Sequence, residues 1–566
     1  MVLLMVAASS ALGLLGPYMI GMAIDDYIVE GKSNGLFTLL AGLTAVYLLH
    51  SLALWLQNFW MIGIAQSTIY RMRSLLFQHF HSLPIHFFDK RQHGELMSRV
   101  TNDIENVSTT LNSSIIQIIS SVLTLIGTIA VMLWLSPLLT LVTLTIVPLM
   151  FFGMKWITGR TGRLYKEQQL NLGELNGYIE ETISGQRIIK TFSQEHRVVG
   201  EFLQKSERLK QAGYWAQTYA GFIPKLMTVL NNLSFAIVAA VGGILALNGS
   251  ISIGIIVVFT EYSRQFTRPL NDLSNQFNTL LSAVAGANRV FAILDEEEES
   301  SDEKGAKSVS LLKGEVEFKK VTFSYGQETD VVSGLNFRVA PGETVALVGP
   351  TGAGKTTIIN LLSRFYEPDD GTILMDGYEL SRIKRNSLRK QMAFVLQDSY
   401  LFQGTIRENI RYGRLDADNE EVEEAAKLAN ADSFIMRLPQ GYDTLLDQEG
   451  SGISQGQRQL LSIARAILTD PSILILDEAT SSIDTITELK IQEALQRLMK
   501  GRTSFIIAHR LNTIQQADQI LVIEEGKIIE KGSHKELLNQ KGFYSELFNS
   551  QLKGNANSFV PSPEGS

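Results

Sequence analysis

The sequence predicts a polytopic α-helical membrane domain, with six transmembrane helices and long cytoplasmic extensions, followed by a C-terminal α/β domain. Three observations carry that prediction. The first half of the 566-residue chain is built from long apolar stretches. The second half alternates short apolar strands with helical patterns, as soluble α/β domains do. One strand–loop–helix junction within it holds the run Gly349-Pro350-Thr351-Gly352-Ala353-Gly354-Lys355-Thr356-Thr357.

The apolar stretches come first in the chain. Met1 to Ile24 is too long and apolar for a signal-peptide core and has neither a basic leader nor a small-residue cleavage site. It reads as a membrane span. Stretches near residues 36–63, 113–135, 137–156, 222–248 and 250–270 are each about 20 residues or more, long enough to cross a bilayer as helices. The last of them carries Glu261 and Arg264.

Orientation follows from the connections. The turn after the first span is acidic, with Asp25, Asp26 and Glu30. The long connections 64–112 and 157–221 hold Arg71, Arg73, Lys90, Arg91, Arg99, Arg160, Arg163, Lys166, Arg187 and Lys190. An excess of basic residues marks the cytoplasmic side, and the C-terminal domain lies there too. Both connections keep helical periodicity, so the membrane helices are expected to continue beyond the bilayer as paired rods.

The expected domains are a membrane domain over 1–293, an acidic linker over 294–313, a nucleotide-binding domain over 314–552 and a disordered tail over 553–566. The acidic run from Asp295 to Glu299 reads as a solvated linker. A formal charge of -8 gives no basic face for nucleic acid. The absence of cysteine excludes disulfides, thiolate metal sites and thiol catalysis, and it fits a reducing cytosolic face. The eight histidines have no metal-ligand spacing.

The glycine-rich run carries the chemistry. It follows the buried-strand pattern Thr344–Val348 and precedes the helical run from Ile358. Its glycines let backbone N–H groups turn inward, the helix N-terminus adds its positive end, and Lys355 can reach β- and γ-phosphates. Thr356 is placed to hold Mg²⁺ through its hydroxyl. A nucleoside triphosphate is therefore the expected ligand. A second apolar strand, Ile473–Leu476, ends in Asp477-Glu478. An acid at that strand end can hold Mg²⁺ through water, and Glu478 can polarise the attacking water.

Between these motifs lies Ile453-Ser454-Gln455-Gly456-Gln457. With the other motifs in order, it resembles the Leu-Ser-Gly-Gly-Gln signature of the ATP-binding cassette (ABC) transporters, specifically exporter half-transporters. The resemblance spans essentially the whole chain. It implies that Tyr325 stacks on adenine, that Gln397 contacts Mg²⁺ and water, and that His509 contacts the γ-phosphate. It further implies that Ser454, Gly456 and Gln457 meet ATP held by another subunit, and that Ser481 to Asp484 form the loop crossing between nucleotide domains. Read from the residues alone, Tyr325 is an aromatic at a strand end and His509 a structural histidine. Phe87-Phe88-Asp89 with Gly94 to Asp103, and Glu174 to Thr191, resemble the two cytoplasmic coupling regions.

In this family two nucleotide domains pair head-to-tail, so the resemblance implies a partner: a second half-transporter subunit. The signature departs from the family pattern at Ile453 and Gln455, and Leu446 to Gly450 replaces the usual Gly-Glu-x-Gly. A glutamine side chain where backbone approaches triphosphate is expected to slow hydrolysis. That favours a heterodimer in which Lys355, Asp477, Glu478 and His509 face a regular signature on the partner. A homodimer that tolerates Gln455 is the alternative. The chain also starts without the amphipathic segment that family members place before the first span, which reads as a trimmed start.

The implied activity is ATP-driven export by alternating access, in a bacterial cell membrane, of hydrophobic or amphipathic molecules such as drugs. Lipid or peptide export, or an ATP-switched regulator with little turnover, are the alternatives. Glu261, about midway down the last span, either faces a substrate or proton cavity or pairs with Arg264 one turn on. Asn231 and Asn232 either line that cavity or bond neighbouring helices.

Overall fold

The computed structural model describes residues 1–549 except 32–33, 327–328, 398, 448–451, 478–482 and 509–510, and not the side chains of 266, 267, 270, 271, 274, 278, 511 and 512. The predicted tail over 553–566 thus lies outside the described residues. The chain divides into two compact units, Met1–Ser82 with Arg91–Glu296, and Leu83–Lys90 with Glu297 onward.

The first unit is helical throughout. It runs through Val2–Met22 with a π-helical extension to Val29, Leu36–Ser82, His93 to Leu135, Pro137 to Ser184, Glu195–Leu247 and Ile253–Leu294. Six of its helices are long and apolar enough to cross a membrane. Helix Leu36–Ser82 has 47 residues. At about 1.5 Å per residue it is about 70 Å long, more than twice a bilayer's hydrocarbon core, so it must continue as a rod outside it. The rods are paired as expected, with Glu195–Leu247 packed along Ile146–Ser184. The last helix continues unbroken from Ile253 past residue 270 to Leu294. Glu261, Arg264 and Arg268 interrupt the hydropathy of the part the sequence selected.

Helix ends in this unit are set by short polar groups. Ser136 accepts from the N–H of Leu139 at 3.4 Å, with Pro137 in the first helical position where its missing N–H is no loss. Ser252 caps Ile253–Leu294 in the same way, and Asp25 adds its carboxylate, accepting the Gly254 N–H at 2.7 Å. Along the helices, polar ties join residues far apart in sequence. Gln117 donates to Asp272 at 2.8 Å, and Ser9 to Gln57 at 3.1 Å. Arg289 donates through Nε to the buried Asp103 at 2.9 Å, and Arg99 donates to the same carboxylate at 3.0 Å. In a bilayer, ties such as those of Ser9 and Gln117 supply the specificity that apolar faces alone lack.

Among the described residues the second unit holds two large sheets and a two-stranded antiparallel ribbon, Gly404–Thr405 with Leu445–Leu446. The larger has strand order Lys527–Gly532, Gln519–Glu524, Thr344–Val348, Thr503–Ile507, Ile473–Asp477 and Met392–Val395. All its neighbours are parallel except the first pair. The central strands are near-continuous apolar runs because both faces are covered. The smaller sheet is antiparallel, with Val316–Phe323 between Val332–Val339 and Asp370–Met375. Rings of Phe318 and Phe337 stack across it at 4.4 Å.

The acidic run is not simply solvated. Glu299 pairs with Arg389 at 2.6 Å, and Asp302 with Arg364 at 3.2 Å. Arg385 donates to the Ser300 hydroxyl and to Glu367, each at 2.9 Å. Arg364 and Arg385 are buried. Such side chains need acids, and the acidic run supplies them. That demand is invisible in the run itself.

Candidate functional site

The phosphate loop forms at the end of Thr344–Val348, the strand next to the sheet's antiparallel pair, where the chain turns into helix Lys355–Leu362. Gly354 sits at φ +101° as that helix's N-cap, and a Cβ there would lie 2.7 Å from Val332 Cγ1. A Cβ on Gly349 would meet the Ile523 carbonyl oxygen at 2.1 Å. Glycine is thus required at both places by close backbone approach, and the loop is held open as a concave nest of N–H groups. Thr351, Gly352 and Thr356 are exposed along it, whereas Ala353 and Thr357 are buried beneath.

Lys355 is 8% exposed. Its Nζ donates to the carbonyls of Gly349 and Pro350 at 2.8 and 2.9 Å, which curls the loop around the ammonium. Burial lowers the lysine's pKa, and the nearby Asp477 carboxylate partly opposes that. Asp477 ends strand Ile473–Asp477 as the sequence places it, beside the lysine rather than merely in the same domain. Gln397 is exposed just beyond the neighbouring strand Met392–Val395. Glu478 and His509, both expected at the γ-phosphate, lie outside the described residues, as do Ser481 and Ser482. The strands that lead to Glu478 and His509 are adjacent and parallel.

Tyr325 stands at the mouth of this site, 39% exposed. Its ring meets Phe323 and Tyr366 edge-on, each at 4.9 Å. Its hydroxyl donates to Thr357 Oγ1 at 3.2 Å and accepts from Asn360 at 3.1 Å. The tyrosine is therefore anchored to the helix that leaves the phosphate loop. Tyr366 in turn donates to Asp89 at 2.8 Å, and burial with that carboxylate pushes the phenol's pKa up. Asp89 ends the short helix Ile85–Asp89, whose Phe87 is buried. Sequence reasoning singled out Asp89 but missed Tyr366, because 277 residues separate them.

Ser454 caps helix Gln455–Thr469. Its Oγ accepts from the Gln457 N–H at 3.3 Å, while the Gln457 side chain accepts from the Ser454 N–H at 2.8 Å. Gln455 occupies the first turn of that helix and is not among the positive-φ residues. Its backbone therefore needs no glycine. The position that does is Gly456, where a Cβ would lie 2.5 Å from Thr487 Cγ2 and 3.1 Å from Ile483 Cγ2.

In the membrane unit Glu261 lines a cavity of about 440 Å³ with Gln117, Arg268 and Asp272. Asn231 and Asn232 lie on helix Glu195–Leu247 and do not line it. Among the described residues no ion pair joins Glu261 to Arg264; the Arg264 guanidinium lies 5.9 Å from the Phe235 ring instead.

Comparisons with known proteins agree with this anatomy. Residues 1–270 match the ABC transporter transmembrane region, and residues 332–481 match the ABC transporter domain. The chain belongs to the ABC transporter family, as an exporter half-transporter that joins a membrane domain to an ATP-hydrolysing domain. It is 65% identical to the ABC transporter ATP-binding protein YfiC of Bacillus subtilis over 98% of this chain and 92% of that one. It is 45% identical to a fatty acid ABC transporter ATP-binding/permease protein of Mycobacterium tuberculosis, over 93% and 82% of the two chains. The structure of a bacterial Atm1-family ABC exporter with ATP bound matches with a TM-score of 0.76 at 30% identity, covering 100% of this chain and 98% of that one. The protein is thus a multi-pass membrane transporter that binds and hydrolyses ATP and works as a dimer with another ABC subunit.

Proposed function

We propose that this chain is one half of a heterodimeric exporter that uses ATP to move hydrophobic or amphipathic molecules, several drugs among them, outward from the cytoplasm or inner leaflet. The observation that carries the reading is the buried Lys355 curled in its glycine loop beside Asp477, on a chain that also crosses the membrane. Thr356, Gln397 and Asp477 would hold Mg²⁺, which neutralises phosphate charge when bound. Thr356 is exposed at the loop, and Asp477 acts on Lys355 from the adjoining strand. Tyr325 receives the adenine, Glu478 polarises the attacking water and His509 contacts the γ-phosphate. Ser454, Gly456 and Gln457 cover the ATP held by the partner, where Gln455 weakens the site. ATP drives export because it binds the closed nucleotide pair better than the open one.

The amphipathic substrate class is supported by relatives whose names refer to fatty acid, to multidrug export and to lipid A-core. A homodimeric lipid exporter is the second reading, favoured by the ordinary helical backbone at Gln455. Subunit composition decides between them. This chain, tagged and purified intact from its native membrane, is expected to bring a different ABC half-transporter in equal amount. An intact mass equal to two copies of this chain would overturn the heterodimer.

A further inference from the structure

Helix Ile253–Leu294 carries Glu261, Gln265, Arg268 and Asp272 at intervals of three or four residues, which places them on one face. All four line the 440 Å³ cavity, a half-open space between helices of the membrane unit of a single chain. The cavity carries two carboxylates for one guanidinium, with His50 also on its wall, and no ion pair among the described residues joins Arg268 to either acid. Asp272 accepts the Gln117 amide at 2.8 Å, and Arg268 stands one turn away from it along the helix. Glu261 is two turns from Arg268, about 10 Å by helical rise, and has no ion-pair partner among the described residues. Ser10, which also lines the cavity, is 9% exposed, and its buried hydroxyl has no hydrogen-bond partner. A carboxylate at membrane depth and a buried hydroxyl each call for a counterpart that the chain does not supply.

We propose that this cavity seats the cationic head of an amphipathic substrate, an ammonium or iminium group, against Glu261 and within one subunit. The proposal rests on the export reading for its biological meaning, but the site itself is a binding site that can be tested alone. An acid-headed amphiphile would seek Arg268 instead, and a neutral one would be indifferent to both charges.

Binding of rhodamine 6G, a monocationic dye, to the purified assembly in nanodiscs tests this by fluorescence anisotropy. Glu261→Gln is expected to weaken binding about tenfold or more, as loss of a charge-assisted contact does, and Glu261→Asp to recover part of it. Ser10→Leu, which fills the cavity and keeps the carboxylate, should weaken it as well. That second variant guards against a Glu261 change that merely disturbs folding. Binding of a dansyl fatty acid should be indifferent to Glu261→Gln. Equal rhodamine 6G binding by wild type and both variants, or none by wild type, overturns the proposal. So does a dye site that is lost on Arg268→Gln but not on Glu261→Gln. The export reading is judged separately, by ATP-dependent transport in vesicles, so the two can fail independently.

Discussion

Lys355 shows how one residue ties charge, burial and nucleotide together. Its ammonium is held by two loop carbonyls, and burial lowers its pKa. The folded chain therefore gives up this proton at a lower pH than the unfolded chain does. Between those two values the unfolded state binds more protons, so this group's contribution to stability rises with pH through the folded value. Nucleotide affinity is expected to fall over the same interval, below the ordinary lysine range. Parallel titrations of ATP affinity and melting temperature check the opposed signs; an affinity flat up to the ordinary lysine range would contradict them. Lys355→Ala should remove at least about 99% of ATP turnover, because a fixed charge aimed at transferring phosphoryl oxygens contributes on the order of 3 kcal/mol or more. A phosphate-release assay reads it.

The signature gives a sharper contrast. Gly456→Ala drives a methyl into Thr487 and Ile483, and overpacking of this kind costs about 1–3 kcal/mol. The full assembly should melt at a lower temperature. Gln455→Gly should change stability by only about 0.5–1 kcal/mol, the usual penalty of glycine in a helix. If Gln455 weakens the partner's site, the same change raises ATP turnover.

At the scale of elements, the acidic segment that opens the second unit is packed on that unit rather than solvated. Glu299 and Arg389 are each about 70% buried, since their side chains are 29% and 28% exposed, so screening leaves on the order of 1 kcal/mol between them. Arg389→Glu should loosen the segment and speed its proteolysis, and adding Glu299→Arg should restore resistance. Failure of the double variant to recover would show that the contact does not hold the segment. This element also marks where sequence reading stops. The run Asp295–Glu299 has the composition of a solvated linker, and nothing local in it reveals Arg364, Arg385 and Arg389. The phosphate loop was legible because its chemistry is local: strand, glycines, lysine and helix follow one another without a break from Thr344 to Leu362. Tyr366 on Asp89 and Arg289 on Asp103 were not, since each pair is brought together only by the fold.

At the scale of the whole molecule, the six helices and the α/β domain could be read from apolar length and strand pattern. Both signals are averaged over many residues and survive single exceptions. The last helix is the exception, because Glu261, Arg264 and Arg268 break its hydropathy while leaving its helix intact. Those interruptions are where function is expected to lie, since an ionisable group at membrane depth persists when it has a role. The account joins them to the ATP site as one export cycle. Its most direct test is ATP-dependent accumulation of an amphipathic dye by inside-out vesicles containing the complete assembly. Wild type should accumulate dye when ATP is added, and Lys355→Ala and Glu478→Gln should not. Vesicles that hydrolyse ATP at the wild-type rate yet accumulate no amphiphile, or that accumulate it equally with Glu478→Gln, would contradict ATP-driven export.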